Sequence, residues 1–416
     1  MSADRDPDGR RAGRGEAIET VQRPRVRPAA THGLGRRPPP PLSLYVHVPW
    51  CVRKCPYCDF NSHEARGELP EQEYLAALQA DLEQALPLIW GRQVISVFIG
   101  GGTPSLLSGA AIDAMLGSFR ACLNLLPDAE ITLEANPGTA EAERFLDYAA
   151  SGVNRLSLGI QSFDDDALRA LGRIHDARQA GAAIEMAQKA VDRVNLDLMY
   201  ALPAQTLEAC RHDLRTAMSF GTGHLSLYHL TLEPNTVFAK YPPPLPDDDL
   251  AARMHEHIVE ATAAGGWEQY EVSAYARAGQ RSLHNQNYWT FGDYLGIGPG
   301  AHGKLSFHDR IIRQARNRNP ESWMSRSLRR DGSQIAEERV VEPKDLSFEF
   351  MLNALRLREG VDTGLFSAHT GLPITAVLPV LKRLEERGLL SLQGARLRAT
   401  DMGWRYLNDV LEAFLQ

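Results

Sequence analysis

Three cysteines within eight residues, Cys51-Val52-Arg53-Lys54-Cys55-Pro56-Tyr57-Cys58, constrain this chain more than any other stretch. Thiolate sulfur is a soft ligand, suited to iron–sulfur clusters, zinc or copper(I). Three thiolates are one short of a closed tetrahedral zinc site. The other two cysteines, Cys122 and Cys210, lie alone in helix-like sequence, whereas His47 and His63 flank the trio and leave zinc open. A [4Fe–4S] cluster on Cys51, Cys55 and Cys58 would leave one iron free for a ligand from outside the protein. Open coordination is what a chemically active centre needs.

A framework of disulfides is not the pattern of these cysteines, so the expected setting is reducing and cytoplasmic. No apolar run reaches the roughly 18–20 residues that a membrane helix needs. A formal net charge of −7 gives no electrostatic reason to expect a nucleic-acid partner. Residues 1–41 differ from the rest, with nine Arg, seven Pro, five acidic residues and almost no large apolar side chains. Such a segment buries too little surface to offset its ordering entropy and reads as disordered. Asp4, Asp6 and Asp8 and the prolines argue against an Arg-rich targeting peptide.

From Leu42 the pattern changes. Leu42–Val48 reads as a strand that Pro49 ends, and the cysteine loop follows at once. Glu71–Trp90 reads as a helix, then Val94–Ile99 as a nearly continuous apolar strand running into Gly100-Gly101-Gly102-Thr103-Pro104. Apolar continuity implies burial on both faces, as in a parallel sheet. Further strands are legible at 130–135, 155–160, 194–200, 224–230 and 268–274, with helices at 108–125, 140–150, 165–191, 206–220 and 247–264. Strand–helix alternation implies right-handed βαβ units whose functional groups sit at the carboxyl ends of the strands. The fold class is therefore α/β.

Strand-end residues are the candidates for binding. Gly101 and Gly102 would let backbone approach a ligand closely. Glu134 ends the third strand, Gln161 the next, Arg173 follows in Leu171–His175, and Asp197 places a charge in a largely apolar strand. An unpartnered buried carboxylate is costly, so Asp197 is expected to have a partner or a ligand.

Together, Tyr45–Cys51, the C-x3-C-x2-C spacing with its aromatic before the last cysteine, the Gly100–Pro104 loop, Gly159–Phe163 and Asp197–Tyr200 resemble the HemN/HemW group of radical S-adenosylmethionine (SAM) proteins. The resemblance covers most of residues 42–300 and implies a partial (β/α)6 radical SAM barrel. It implies a [4Fe–4S] cluster on Cys51, Cys55 and Cys58, chelated by SAM's amino and carboxylate groups and cleaving SAM to a 5′-deoxyadenosyl radical. Tyr45, Tyr57, Gly101, Gly102, Thr103, Glu134, Gln161, Arg173 and Asp197 fall at the group's SAM-contacting positions.

The group has two branches, coproporphyrinogen III dehydrogenases and haem chaperones. The dehydrogenases carry a further cysteine two residues after the third, where this chain has Asp59-Phe60. Asp59-Phe60-Asn61-Ser62 is similar to the chaperone branch, and His284-Asn285-Gln286-Asn287-Tyr288-Trp289 fits the HNxxYW motif associated there with haem binding. Imidazole is a standard axial ligand for haem iron, and Tyr288 and Trp289 offer flat faces for a porphyrin. Taken alone, those six residues read as a satisfied histidine with two core aromatics; with the resemblance they read as haem contact through His284. His302, in the glycine-rich and nominally flexible Gly296–Gly303, is a second candidate.

Residues 304–342 read as a connector in which Arg310, Arg313, Arg316 and Arg318 form a solvated face. From Pro343 three helical stretches, a small hairpin at 389–397 and a last helix at 401–415 resemble the winged-helix-like C-terminal domain of HemN. With no side-chain set dedicated to base reading, that domain is expected to be a lid or interaction module. The domains are then 1–41, 42–303, 304–342 and 343–416. The function expected is haem chaperoning with cluster, SAM and haem as cofactors. The partners would be haem and haem-accepting proteins such as respiratory enzymes; a homodimer and SAM cleavage stay open, and no residue is assigned a catalytic role. The competing class is the dehydrogenase, converting coproporphyrinogen propionates to vinyls.

Overall fold

The computed structural model describes residues 38–138 and 142–415. Of residues 1–41, expected to be disordered, residues 1–37 lie outside them. One twelve-stranded sheet organises the chain: β1 (Leu42–Val48), β2 (Gln93–Gly101), β3 (Asn124–Ala135), β4 (Arg155–Gln161), β5 (Arg193–Tyr200), β6 (His224–His229), β7 (Glu268–Gln269), β8 (Ala274–Ala276), β9 (Asp293–Ile297), β10 (His302–Ser306), β11 (Ile311–Arg316) and β12 (Ile335–Val340). Their order is β12-β11-β10-β9-β1-β2-β3-β4-β5-β6-β8-β7. Strands β9 and β1 to β6 run parallel, and the flanks on both sides are antiparallel. Each of β1 to β6 is followed by helix, and the sheet stays open: a partial (β/α)6 barrel.

Local chemistry explains the elements. In β1 every residue but Tyr45 is buried, as a central parallel strand requires. Helices after the strand ends start on side-chain caps: Ser108, Asp164, Thr206 and Asp247 each accept a backbone N–H from the first turn. The expected helix over 165–191 is broken into Asp165–Ala170 and Ala177–Ala190. Gly172 turns the chain at φ +72°, and Asp176 with Gln179 forms a capping box that restarts the helix. The break places Arg173 beside the cysteine loop. The strand expected at 268–274 is instead the short β7 and β8, outside the parallel set.

The reading of 304–342 as a connector is corrected. This segment supplies β11, β12, most of β10 and the helix Pro320–Arg329, and so extends the main sheet. Arg310 and Arg318 are exposed, but Arg313 and Arg316 are not part of a solvated run. Arg316 is buried against Asp81 (Nε to Oδ1 3.2 Å), and Arg313 pairs with Glu349 at 2.7 Å. Asp81 also accepts from Trp323 Nε1 and from the Gly298 backbone, both at 3.2 Å. Gly296–Gly303 is not a floppy loop, since it contains the end of β9, the start of β10 and between them a turn held by that aspartate.

The C-terminal region packs its own core, including Phe350, Phe366, Leu381, Leu384 and Val410, against Ile311 of the sheet and Phe291 in the turn before β9. Helices Pro343–Ala354, Thr363–Thr370 and Leu378–Glu386 surround a small sheet of Val361–Asp362, Arg396–Ala399 and Leu390–Gln393. No helix among the described residues is long and apolar enough to cross a membrane. Replacing Asp81 by Ala leaves Arg316 buried without its counter-charge, so stability should fall by about 3–5 kcal/mol. Chemical denaturation would measure this, and a loss below about 1 kcal/mol would match a surface pair instead.

Candidate functional site

The cysteine loop is anchored before its sulfurs are considered. Trp50–Cys51 pairs in parallel with His63–Glu64, closing the loop at its neck. Gly102 N donates to Val48 O and Thr103 N to Trp50 O, both at 2.7 Å, joining the end of β1 to the end of β2. At the far side Phe238 N donates to Pro56 O at 3.0 Å, and Tyr57 packs against Phe238 with ring centroids 6.4 Å apart.

Cys51, Cys55 and Cys58 are free and half-buried. Burial raises the thiols of Cys51 and Cys58, and each feels its neighbouring cysteines, so the three sulfurs share one small region. Among the described residues no three His, Cys, Asp or Glu side chains converge to grip a single ion. His47 is otherwise engaged: its Nδ1 lies 3.0 Å from Tyr45 OH and its Nε2 2.9 Å from Asn61 O.

A polar chain runs from the sulfurs into the barrel. Arg173 Nη1 lies 3.7 Å from Cys55 Sγ, and its Nη2 donates to Gly159 O at 2.8 Å and to Asn136 Oδ1 at 2.5 Å. Asn136 Nδ2 in turn donates to Thr103 Oγ1 at 2.9 Å. Arg173 Nε is buried with no hydrogen-bond partner. A buried orphan donor beside three thiols fits an anionic group bound there. Asn136 is the residue missed from sequence, although its place in Glu134-Ala135-Asn136-Pro137 at a strand end was the available signal.

Deeper in, Glu134 accepts from Gly101 N at 3.1 Å. Burial, and then the charge of Asp197, push its carboxyl up to about 8. Burial likewise raises Asp197, which accepts from Ser157 Oγ at 2.8 Å and Asn195 Nδ2 at 2.9 Å. Two carboxylates facing one another in a desolvated barrel make a pocket for a cation. Gln161 ends β4 with φ +68°, a left-handed conformation that costs energy in a non-glycine residue. Gly101 and Gly102 are required for packing against the protein itself. A Cβ on Gly101, at φ +115°, would sit 2.7 Å from the His47 ring, and one on Gly102 would sit 2.5 Å from Trp50 O.

His284 lies inside the protein, behind the cavity wall. It is 1% exposed, with Nδ1 3.0 Å from Ser96 Oγ and Nε2 3.0 Å from Tyr288 OH. Burial lowers its pKa to about 3, so the ring is neutral. Its helix, Leu283–Trp289, rests on the Glu130 carboxylate, which accepts the backbone N–H groups of Leu283 and His284 at 3.0 Å and pairs with Arg193 at 2.8 Å. Asn287 Nδ2 bonds Ser43 Oγ (2.9 Å) and Asp293 O (2.8 Å). His284 and Asn287 reach the sheet, while Tyr288, one turn on from His284 and hydrogen-bonded to it, and Trp289 line an adjoining cavity. Glu130 was also missed; its place in Glu130-Ile131-Thr132-Leu133-Glu134, two and four residues from inward-facing positions, was the signal.

That cavity has a volume of about 940 Å³. Its walls include Tyr45, Gly101 and Glu134 on the barrel side, with Phe60, Tyr288 and His302 further out.

Comparison with known proteins places this geometry. Residues 45–217 match the Radical SAM superfamily and residues 341–406 the HemN C-terminal domain. A solved structure of coproporphyrinogen III oxidase (HemN) from Escherichia coli, described as a radical SAM enzyme, shares the fold with a TM-score of 0.77 over 92% of both chains at 23% identity. The class is therefore radical SAM, whose members carry a [4Fe–4S] cluster and SAM. The chain is 48% identical over 378 residues to "Heme chaperone HemW" of Escherichia coli, covering 90% of this chain and 98% of the relative. It is 46% identical to the protein of that name in Haemophilus influenzae, with 90% and 98% covered. The chain belongs to the HemW family.

A Gly102→Ala exchange should force the Trp50 carbonyl outward, destabilising the protein by roughly 1–3 kcal/mol. Iron retention after anaerobic reconstitution should drop with it, and full iron content with unchanged stability would contradict the packing role.

Proposed function

We propose that this protein is a haem chaperone of the radical SAM class, holding a [4Fe–4S] cluster on Cys51, Cys55 and Cys58, binding SAM at the strand ends and carrying haem to acceptor proteins. The observation that carries the reading is the shared cavity of about 940 Å³, bounded at once by Tyr45, Gly101 and Glu134 of the barrel and by Tyr288 and Trp289 of the HNxxYW helix. It is at the upper end of the size of small-molecule sites. The names borne by the near-full-length relatives support the same reading.

Three half-buried thiols with a cationic neighbour, Arg173, suit a cluster with one open iron. When bound, the cluster supplies one-electron reduction of SAM. The residues of the chain bind and orient. Glu134 and Asp197 would hold the positively charged SAM through hydrogen bonds from its amino group and ribose, Arg173 and Thr103 fix the polar chain beside the sulfurs, and Gln161 would close the far edge. Tyr45 and Tyr57, whose hydroxyls burial keeps protonated, serve as hydrogen-bond donors and walls. Phe60 puts a ring where the dehydrogenase branch has a thiol, and it is 58% exposed at the cavity.

Anaerobically reconstituted protein should bind haem on titration and leave coproporphyrinogen unchanged in the presence of SAM. Decarboxylated product would place it with the dehydrogenases. SAM binding should also release a proton. In the free protein Glu134 titrates at about 8 and is mostly protonated at neutral pH; a cation favours its ionised form. Affinity should therefore rise with pH up to that value and level off above it. Calorimetry in buffers of different ionisation heat should report a proton release at pH 7 that falls by up to about one per SAM in Glu134→Gln. Release unchanged in that variant would remove Glu134 from the site.

A further inference from the structure

The haem reading leaves the iron without a partner. His284 is buried, and both its ring nitrogens are hydrogen-bonded. Of the two histidines lining the cavity, His47 is also engaged at both nitrogens. His302 is different. It opens β10 opposite Ala315, is exposed, and its ring has no hydrogen-bond partner among the described residues. The neutral imidazole nitrogen is the form that ligates iron.

The surroundings suit a flat macrocycle with carboxylate arms. Tyr288 and Trp289 present aromatic surface, and Phe60 adds an exposed ring. Arg318 also lines the cavity, is exposed, and forms no ion pair among the described residues. Arg313, by contrast, is bound to Glu349 and to Tyr294 OH. A free guanidinium matches a carboxylate bidentately.

The geometry points to His302 as the axial ligand of haem held in this cavity, with Tyr288 and Trp289 against the macrocycle and Arg318 facing a propionate. His284 acts in the same site as a positioning residue: its ring hydrogen-bonds Tyr288 OH and so sets the angle of the wall. The inference rests on the haem-chaperone reading and deepens it.

The test titrates haem into anaerobically reconstituted full-length protein and follows the Soret band and electron paramagnetic resonance. His302→Ala should remove the imidazole-ligated spectrum and weaken binding by about tenfold or more, no less than loss of an outer-shell partner costs a metal site. Added free imidazole should restore the spectrum. His284→Gln, which keeps hydrogen-bonding capacity, should retain the histidine-ligated spectrum of the parent protein. Arg318→Ala should weaken binding while leaving the spectrum unchanged. An unaltered spectrum and affinity in His302→Ala would overturn the assignment, as would loss of the ligated spectrum in His284→Gln alone. Failure of the parent protein to take up any haem would overturn the chaperone reading itself, a result separate from the first two.

Discussion

Two backbone hydrogen bonds, Gly102 N to Val48 O and Thr103 N to Trp50 O, hold the rest of the site in register. They fuse the carboxyl ends of β1 and β2 at the point where the cysteine loop leaves the sheet. The loop's three sulfurs then inherit the rigidity of two central parallel strands. Thr103 carries the constraint inward through Asn136 to Arg173, which returns to Cys55. Glycine at 102 is the condition for that closure, because no side chain fits between the strand ends.

The second organising feature is a buried polar layer under the motif helix. Ser43, Ser96, His284 and Asn287 bond one another across β1, β2 and the helix, and Glu130 caps the helix from β3. A largely satisfied buried polar network fixes one arrangement, and of these four side chains Asn287 leaves its Oδ1 unpartnered. Here that arrangement determines where Tyr288 and Trp289 stand. The conspicuous histidine of the motif thus serves orientation, and the aromatic pair beside it forms the surface of the cavity.

Much of this was legible in the sequence. The strand series, the cysteine spacing and the carboxylate at Glu134 could be read because each depends on local pattern. So could the C-terminal helices and hairpin, which match the HemN C-terminal domain. What could not be read depends on distant partners. Arg313 and Arg316 look like exposed charge until Glu349 and Asp81 are brought to them across the fold. The helix break at Gly172–Asp176 combines a capping box with a tertiary demand for Arg173 at the cysteine loop. The direction His284 faces depends on Ser96 and Glu130, both remote in sequence. Glycines 101 and 102 were read as room for a ligand, whereas their first obligation is to neighbouring protein atoms.

The pairing of β1 with β9 also bears on how the molecule is made. Leu42 lies beside Asp293, so the strand that launches the cysteine loop lacks one neighbour until almost three-quarters of the chain has been synthesised. Contacts of such long range are slow to form. During translation the thiol loop therefore emerges early and waits on a half-paired strand, whose exposed edge invites misassociation. A cluster on that loop would therefore meet its finished surroundings only after β9 has been made.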